Sequence, residues 1–447
     1  MRTPTQPLVL ATPRPRLRQP DRTRVAPRVL SLDQLLPDDH PARVVWDFVA
    51  HLDLRPLYDR IRAVEGRPGR DANDPQILLA LWLYATLRGV GSARELDRLC
   101  REHVAYQWLC GGVPMNYHAL ADFRIDHPDF LDGLLTHSVA ALVHEGLIDL
   151  QRVAQDGVRV RAAAGAASFR RRPTLQRCLA EAEQHVAALR QQAGEDPAAV
   201  SRRQQAARHR AARERQQRVQ AALHELDQLQ AQKEAQRRAK GVRFQPEELR
   251  ASTTDPEARR MQMADGGYRP GSNAQRATTP RGGVIVGVAV TNAGGDGGQL
   301  APMVEQVVRR HGVAPAAVVV DGGLTTLDDI EAVHAHGTQV YGPVKEAARK
   351  QAAGQDPYRP RPTDKPGVAA WRARMGTEAA RVVLRQRGAT AEWVNAGLRN
   401  RGVYQVRVRG RAKVLCVLLW HAVVHNLLRG VALRAAAACA VVGEVAG

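Results

Sequence analysis

The chain of 447 residues is 44% hydrophobic and carries a formal net charge of +20, which favours a globular protein of two or three domains with a polyanionic partner. Its five cysteines are scattered without a Cys-x-x-Cys pair, which argues against a zinc ribbon or a disulfide framework and favours a cytoplasmic protein. No N-terminal apolar run has the length of a signal peptide, and no G-x-x-x-x-G-K-[ST] motif indicates a nucleotide cofactor.

The first 150 residues divide into a basic arm and a helical region. Residues 1–30 contain seven Arg and six Pro, which predicts a disordered arm that can lie on DNA phosphates or have no role. Residues 31–150 carry helix-starting signals at Asp74-Pro75, Ser92 and Asn116. Short helices joined by glycine-rich turns resemble a helix-turn-helix DNA reader, and a plain helical scaffold is equally consistent with them.

The next predicted element is a strand over residues 153–162. Apolar and polar residues alternate along it, and it carries Asp156 directly before Gly157. Most Asp-Gly pairs form turns. The alternative is that the carboxylate holds a hard metal ion while the glycine lets a phosphate backbone approach closely.

Residues 166–265 predict a long helical insertion after this strand. They are rich in Gln, Arg, Ala and Glu, and their apolar residues have heptad-like spacing from 219 to 229. A break is expected near Gly194-Glu195-Asp196-Pro197, giving a helical hairpin or a coiled coil. A solvated insertion, a DNA contact and a dimer contact all remain open for it.

Residues 151–165 and 266–435 together predict a mixed sheet with helices. A hairpin is expected over 273–290, a helix over 300–311, and a buried strand over 316–320 that ends in Asp321-Gly322-Gly323. A further helix begins near Asp328, and a short strand covers 339–341. Residues 345–366 predict a linker. The apolar tract 414–442 is interrupted by charged residues, so it predicts a buried helix, followed by a tail over 436–447, and no membrane span.

Two predicted strands end in acidic residues, which suggests a shared active edge. Ligands collect where the carboxyl ends of parallel strands open, and two carboxylates there can bridge two Mg²⁺ ions. Glu392 is the candidate third acid, because thirteen Arg or Lys and only two acids lie between positions 371 and 434. A high-GC genome would enrich arginine everywhere, but this distribution is uneven. The competing explanation for Glu392 is an ion pair with a neighbouring arginine.

These motifs resemble the transposases of bacterial insertion sequences, of the DDE superfamily. The segments that carry the resemblance are Asp38-Asp39-His40-Pro41-Ala42-Arg43, Gly89 to Glu95, Phe123-Arg124, Gln155-Asp156-Gly157-Val158-Arg159-Val160, Asp255-Pro256-Glu257-Ala258-Arg259, Asn273-Ala274-Gln275, Asp321-Gly322-Gly323 and His425-Asn426-Leu427. The resemblance implies an α/β fold, with an RNase H-like mixed sheet flanked by helices and a helical N-terminal domain. It also implies that Asp156, Asp321 and Glu392 are catalytic residues that hold two Mg²⁺ (or Mn²⁺) ions.

The third motif of the family places a tyrosine, an arginine, the catalytic glutamate and a lysine along one helix. Arg387 and Glu392 match this pattern, while Leu384 stands in place of the tyrosine and Arg399 in place of the lysine. The resemblance implies that Arg387 and Arg399 contact DNA phosphates. Arg159 and Arg161, on the strand of Asp156, are further predicted DNA-binding residues.

Several other residues compete for a place in the site. Asp328 and Asp329 are expected to cap a helix, and Asp296 to form a turn or support the site from behind. Asp265 is a further candidate. His421 and His425 have the i, i+4 spacing of metal ligands, but without acidic or cysteine neighbours in the sequence they are expected to be core or interface histidines.

The sequence therefore predicts a DNA transposase that cleaves the ends of its element and transfers the strands into target DNA. Its partner is double-stranded DNA, both terminal inverted repeats and target, and a homodimer is expected because two ends must be joined. The protein is expected in the bacterial cytoplasm, associated with the nucleoid. The alternatives are a catalytically inactive DNA-binding derivative and a simple RNase H-like nuclease.

Overall fold

Helices precede, interrupt and follow a six-stranded mixed sheet, and a separate two-stranded sheet accompanies it. The computed structural model describes residues 23, 29–64, 66, 71–195, 202–241, 243–387 and 391–445. The α/β class predicted from the sequence is confirmed. Most of the predicted basic arm and the centre of the predicted break near residue 196 lie outside the described residues.

The helices are α1 (Pro41–Ala50), α2 (Arg55–Tyr58), α3 (Pro75–Leu87), α4 (Ala93–Glu102), α5 (Val104–Cys110), α6 (Tyr117–Asp126), α7 (Pro128–His144), α8 (Arg172–Glu195), α9 (Arg202–Lys240), α10 (Leu300–His311), α11 (Leu327–Ala335), α12 (Ala347–Ala352), α13 (Pro366–Met375), α14 (Glu378–Arg387), α15 (Trp393–Asn400) and α16 (Arg411–Val445). Short 3₁₀ turns cover Asp33–Leu35, Ala166–Ser168 and Pro246–Glu248. The strands are β1 (Arg152–Arg161), β2 (Phe169–Arg170), β3 (Ala251–Ser252), β4 (Arg259–Gln262), β5 (Tyr268–Thr278), β6 (Ile285–Thr291), β7 (Ala317–Val319) and β8 (Gln339–Tyr341).

The strand β1 lies at the centre of the main sheet. The order is β4-β5-β1-β7-β8, and β6 also pairs with β5. β1 is antiparallel to β5 and parallel to β7, and β7 is parallel to β8. The parallel pairing sets Ala154 of β1 opposite Val319 of β7. The carboxyl ends of β1, β7 and β8 therefore open in the same direction.

Each face of the sheet is covered by its own hydrophobic core. Val160 of β1 packs into a core formed with the N-terminal helices and α16, while Val153 packs into a second core with α10, α11 and α13. Because side chains alternate along a strand, residues an odd number apart lie on opposite faces. Asp156 therefore shares the face of Val160, and Gly157 shares the face of Val153.

The sequence signals for the N-terminal helices are confirmed by side-chain caps. The Asp74 carboxylate accepts a hydrogen bond from the backbone N–H of Gln76 at 2.8 Å, directly before Pro75. Ser92 caps α4 through the N–H of Glu95, and Asn116 caps α6. Such caps satisfy N–H groups that have no partner within the helix itself.

The C-terminal helix α16 joins the N-terminal helices to the sheet. Trp420 donates its indole N–H to the carbonyl of Arg124 at 2.9 Å, and Trp82 of α3 donates to Leu120 O. Within the described residues, one helical stretch, Arg411–Ala440, is long and apolar enough to cross a membrane, and 72% of its most apolar window is buried inside the structure. This burial agrees with the prediction of a buried helix.

Side chains cover the outer edge of strand β6. Asn426 of α16 accepts from the N–H of Ile285 and donates to its carbonyl, both at 2.8 Å. Gln306 of α10 does the same for Val288, at 2.8 and 3.0 Å. An edge strand exposes unpaired backbone groups, and these two amides replace the missing neighbouring strand. This gives a structural reason for the asparagine of the His425-Asn426-Leu427 motif.

The insertion forms a helical hairpin. Arg172 of α8 pairs with Asp227 of α9 at 2.5 Å, and Glu181 pairs with Arg215 at 3.7 Å, so the two helices run antiparallel. The apolar residues at the predicted heptad positions form the contact between them: Val219, Ala222 and Leu226 are buried together with Leu175.

Four features differ from the sequence prediction. The short strands β2, β3 and β4 were not predicted: β2 and β3 have two residues each and pair with each other, and Arg259–Gln262 of β4 are mostly polar and lack a clear alternation. The predicted linker contains helix α12, and α16 continues through the predicted tail to Val445. The third motif lies on two helices, α14 and α15, with residues 388–390 between them outside the described residues.

We expect Asn426→Leu to destabilise the fold. The side chain is 1% exposed, and its loss leaves the N–H and carbonyl of Ile285 buried without partners. Each buried unpaired group costs about 1–3 kcal/mol, so the free energy of unfolding in urea should fall by about 2 kcal/mol or more. The exposed Asn400→Leu is the control, with an expected change within about 0.5 kcal/mol. Equal effects of the two substitutions would contradict this account of the edge.

Candidate active site

Asp156 and Asp321 lie at the same level on neighbouring parallel strands. The pairing of β1 with β7 sets residue 154 opposite residue 319, and continuing the same register sets residue 156 opposite residue 321. Asp156 lies within β1, whereas Asp321 lies two residues beyond the end of β7. The structure thus brings together the first two acids that the sequence singled out.

The electrostatic coupling of the two carboxylates agrees with this geometry. Burial raises the pKa of Asp156, and the nearby negative charge of Asp321 raises it further. The positive charges of Arg387 and Arg276 and the N–H of Gly157 act in the opposite direction on this pKa. A half-buried acid beside a like charge is stabilised by a bound cation.

Hydrogen bonds hold both carboxylates but leave part of each one open. Asp156 accepts from the N–H of Gly157 at 3.0 Å and from the side-chain amide of Asn395 at 2.6 Å. Asp321 Oδ1 accepts from the N–H groups of Gly323 and Leu324 at 2.9 and 3.2 Å. Asp321 Oδ2 accepts no hydrogen bond from any described residue. A carboxylate offers about four lone-pair positions, so both acids keep free acceptor positions.

Asn395 links Asp156 to a buried arginine. Its amide donates to Asp156 Oδ2, and its carbonyl oxygen accepts from Arg276, the residue opposite Asp156 on β5. Burial lowers the pKa of Arg276 to about 10, and its Nε and Nη1 atoms find no hydrogen-bond partner among the described residues. The network fixes α15 against the sheet at the position of Asp156.

Glu392 is exposed at the start of α15 and does not join the other two acids in one cluster. Within the described part of the chain, no group of three or more His, Cys, Asp or Glu side chains could hold a metal ion. Arg387 is half-buried and close enough to Asp156 to lower its pKa, whereas Arg399 is exposed. The roles of these three residues stay predictions.

Gly157 has an internal role that the sequence did not predict. A Cβ atom at this position would collide with the side chains of Gln275 and Asp296. Asp296 is buried there and accepts from Asn273 at 2.8 Å and from Gln275 at 2.7 Å, and it pairs with Arg159 at 2.9 Å. The polar cluster on the face of the sheet opposite Asp156 therefore requires a glycine at this position. The sequence had suggested a different role, in which the glycine lets a phosphate backbone approach.

Family comparison assigns the helical region that packs against this site. Residues 30–126 match the family model described as transposase domain (DUF772), a range that ends with the last residue of α6. This part of the chain is similar to transposase domains. The match covers the three N-terminal segments that resemble insertion-sequence transposases and confirms that resemblance. No curated protein matches the chain. A transposase domain implies DNA as the partner.

The other sequence candidates lie outside the pair formed by Asp156 and Asp321. Asp265 is exposed and pairs with Arg269 at 2.6 Å. Asp329 accepts from the N–H groups of Gly298 and Ala301, so it caps the start of α10 as well as lying in the first turn of α11. Asp328 lies in that same first turn.

His421 and His425 are core residues, as the sequence favoured. Burial lowers the pKa of His421 to about 3 and that of His425 to about 4, so both are neutral at pH 7. The ring of His425 contacts the carbonyl of Gly283 at 2.8 Å.

The two predicted DNA-binding residues on β1 have different surroundings. The side chain of Arg159 is 23% exposed and is held by Asp296 and by the carbonyl of Gly294 at 3.0 Å, so it has a structural role. Arg161 is exposed at the end of the strand. The N-terminal helices approach this end of the sheet: a Cβ on Gly89 would lie 3.8 Å from the backbone of Arg401, and the carbonyl of Tyr404 in the same loop accepts from the N–H of Arg161 at 3.0 Å.

Sequence reasoning missed Asn395 and Arg276. Each has a signal that can be recognised once the structure is known. Asn395 lies one helical turn after Glu392. Arg276 is opposite Asp156 on β5, so the alternation of side chains along the strand puts it on the same face. A single sequence does not reveal which of its many arginines faces the active edge.

We expect Gly157→Ala to destabilise the protein. The added methyl group collides with Gln275 and Asp296, and overpacking of this kind costs about 1–3 kcal/mol. Urea unfolding measures the effect. Gly133→Ala is the matched control, because a Cβ on this glycine of α7 meets nothing within 4 Å and alanine favours helix by about 0.5–1 kcal/mol. A destabilised Gly133→Ala variant or an unaffected Gly157→Ala variant would contradict this steric role of Gly157.

We expect Asp321→Asn to lower the pKa of Asp156. Burial would keep this pKa above its ordinary value, but the contribution of the like charge would disappear. The pKa can be followed by NMR titration of carboxyl-labelled aspartates, with the Asp156 signal assigned from Asp156→Asn. Asp265→Asn is the control and should leave the titration of Asp156 unchanged. An unchanged titration in Asp321→Asn would show that the two carboxylates are not coupled.

Proposed function

We propose that this protein is a metal-dependent DNA transposase of the DDE type, which cleaves the ends of its element and joins the freed 3′-hydroxyls to target DNA. The observation that carries the proposal is the register of β1 and β7, which sets Asp156, within β1, level with Asp321, two residues beyond the end of β7. A homodimer acting on two ends in the cytoplasm belongs to the same proposal. The mixed sheet with helices on both faces supports an RNase H-like core.

The residues of the pair fit a hard divalent cation such as Mg²⁺ or Mn²⁺. Carboxylate oxygens are its preferred ligands, and both acids keep free acceptor positions. Burial, and after it the charge of Asp321, raises the pKa of Asp156, and a bound cation would offset both effects. Two ions bound here would supply Lewis-acid stabilisation of charge on the attacking and leaving oxygens. The protein side chains hold and orient these ions, and no protein nucleophile is required.

The position of α15 supports Glu392 as the third acid. Asn395 of this helix is hydrogen-bonded to Asp156, and Glu392 precedes it by three residues, on the same side of a helix. The absence of a three-acid cluster among the described residues is the observation that favours the alternative, a catalytically inactive DNA-binding derivative.

Arg387 and Arg399 are proposed to bind phosphates beside the catalytic pair. Arg387 faces Asp156 closely enough to influence its pKa, and Arg399 is exposed on α15. A phosphodiester entering the site brings negative charge near both acids, so positive side chains on this rim favour its approach. Arg161, exposed at the end of β1, is proposed to extend this rim.

We expect Asp156→Asn and Asp321→Asn each to abolish Mg²⁺-dependent cleavage of a duplex that carries the element ends. Losing one ligand removes several kcal/mol of charge stabilisation, which corresponds to about 100-fold or more in rate. Glu392→Gln should have the same effect if this residue is the third ligand. Asp265→Asn, on an exposed turn, should cleave as well as the parent.

Gel analysis of cleaved and joined products distinguishes the possible outcomes. Salt-dependent DNA binding without metal-dependent cleavage would identify the inactive derivative and overturn the proposal. Cleavage without a joined product would identify a simple nuclease and overturn the strand-transfer half. Cleavage that survives Asp156→Asn or Asp321→Asn would show that the catalytic residues lie elsewhere.

A further inference from the structure

A large groove separates the helical hairpin from the sheet. It has a volume of about 810 Å³. One wall is formed by residues 229–236 of α9, and the floor by residues 166–171, 248–250 and the start of β4. The opposite wall is the glycine-rich loop after β6, residues 292–297. No residue that the sequence or the proposed function singled out as catalytic lines this groove.

The groove is strongly basic. Arg171, Lys233, Arg250, Arg259 and Arg260 line it, and Glu248 is the single acid among its described lining residues. Arg259 is neutralised by a buried ion pair with Glu225 at 2.5 Å.

The other four cations, Arg171, Lys233, Arg250 and Arg260, are called the groove cations here. Their side chains make no hydrogen bond or ion pair within the part of the chain that the structure describes, and three of them are exposed. Four positive charges with Glu248 as the one acid beside them repel one another, so a bound polyanion would stabilise this arrangement. Gln232 and Gln236 of α9 add amide donors to the same wall.

The glycine-rich wall gives the groove open backbone on one side. Gly294 and Gly295 are exposed, and Cβ atoms there would meet nothing within 4 Å, so this side of the loop is open to a ligand. Backbone N–H groups and basic side chains together are the usual partners of phosphate oxygens.

The same wall connects the groove to the catalytic edge. A Cβ at Gly323, two residues after Asp321, would lie 3.1 Å from Asp321 Oδ1 and 3.5 Å from Asp296 Oδ2. Asp296 belongs to the glycine-rich loop, and its neighbour Gly297 lines the groove. A chain of phosphates lying in the groove would therefore continue toward the loop of Asp321.

We propose that this groove binds the phosphodiester backbone of DNA, so that the helical hairpin holds a DNA segment beside the catalytic edge. The inference deepens the proposed function, on which it rests, by assigning a role to the insertion. Pockets for small apolar ligands are lined mainly by hydrophobic side chains, whereas most side chains here are charged or polar. Phosphate contacts of this kind give affinity without sequence specificity.

The test is the salt dependence of DNA binding by the full chain. The groove variant replaces the four groove cations with glutamine: Arg171→Gln, Lys233→Gln, Arg250→Gln and Arg260→Gln. The control variant replaces four exposed arginines outside the groove: Arg208→Gln, Arg210→Gln, Arg213→Gln and Arg309→Gln. Both variants remove the same charge, so a difference between them reports position. Fluorescence anisotropy with a labelled duplex of random sequence gives the affinity at several salt concentrations.

We expect the groove variant to reduce the slope of log affinity against log salt by about 0.9 for each phosphate that the protein no longer neutralises, and the control variant to reduce it by less than one such step. A third variant, Arg171→Lys, Arg250→Lys and Arg260→Lys, should keep the slope of the parent because it keeps the charge. Thermal unfolding checks that the variants are folded, and if the glutamine variant is not, single substitutions replace it.

Equal slopes for the groove and control variants would overturn the inference, because DNA would then bind through diffuse surface charge. An unchanged slope in the groove variant would overturn it as well. The outcome is independent of the catalytic assignment. If the groove variant reduces the slope while Asp156→Asn still cleaves DNA, the groove is supported and the proposed function is refuted. If the groove variant keeps the slope of the parent while Asp156→Asn abolishes cleavage, only the groove is refuted.

Discussion

The parallel pairing of β1 with β7 is the constraint on which the rest of the structure depends. Its register brings two acids from positions 165 residues apart to the same level at one edge of the sheet. The cost is electrostatic, since burial and then the nearby charge of Asp321 disfavour the ionised form of Asp156. The fold compensates locally with backbone N–H groups for both acids and with the Asn395 amide for Asp156.

The two faces of β1 serve different purposes at this edge. On one face Asp156 meets Asn395 and Arg276, which attach α15 to the sheet. On the other face Gly157 makes room for Asp296, whose hydrogen bonds to Asn273 and Gln275 hold the loop after β6 against β5. A one-residue shift of β1 would exchange these faces and break both networks. The alternation of one strand therefore positions both the proposed catalytic pair and the wall of the basic groove.

The helix α16 makes the transposase domain and the sheet one structure. It contributes Trp420 to the N-terminal helices and Asn426 to the edge of β6, so one hydrophobic core extends from α3 to the sheet. The position of these N-terminal helices relative to the edge that carries Asp156 and Asp321 is consequently fixed by packing. The insertion differs, because α8 and α9 have a small core of their own beside the sheet.

The sequence by itself determined the local elements and the first two acids. Caps at Asp74, Ser92 and Asn116, the strand of Asp156 and the strand before Asp321 follow from patterns within a few residues, because capping and alternation are local effects. Only the tertiary structure decided which side chains meet. The links from Asp156 to Asn395 and from Gly157 to Asp296 join residues more than a hundred positions apart, as does the groove between hairpin and sheet. Their existence depends on strand register and helix packing, which no short pattern in the chain specifies.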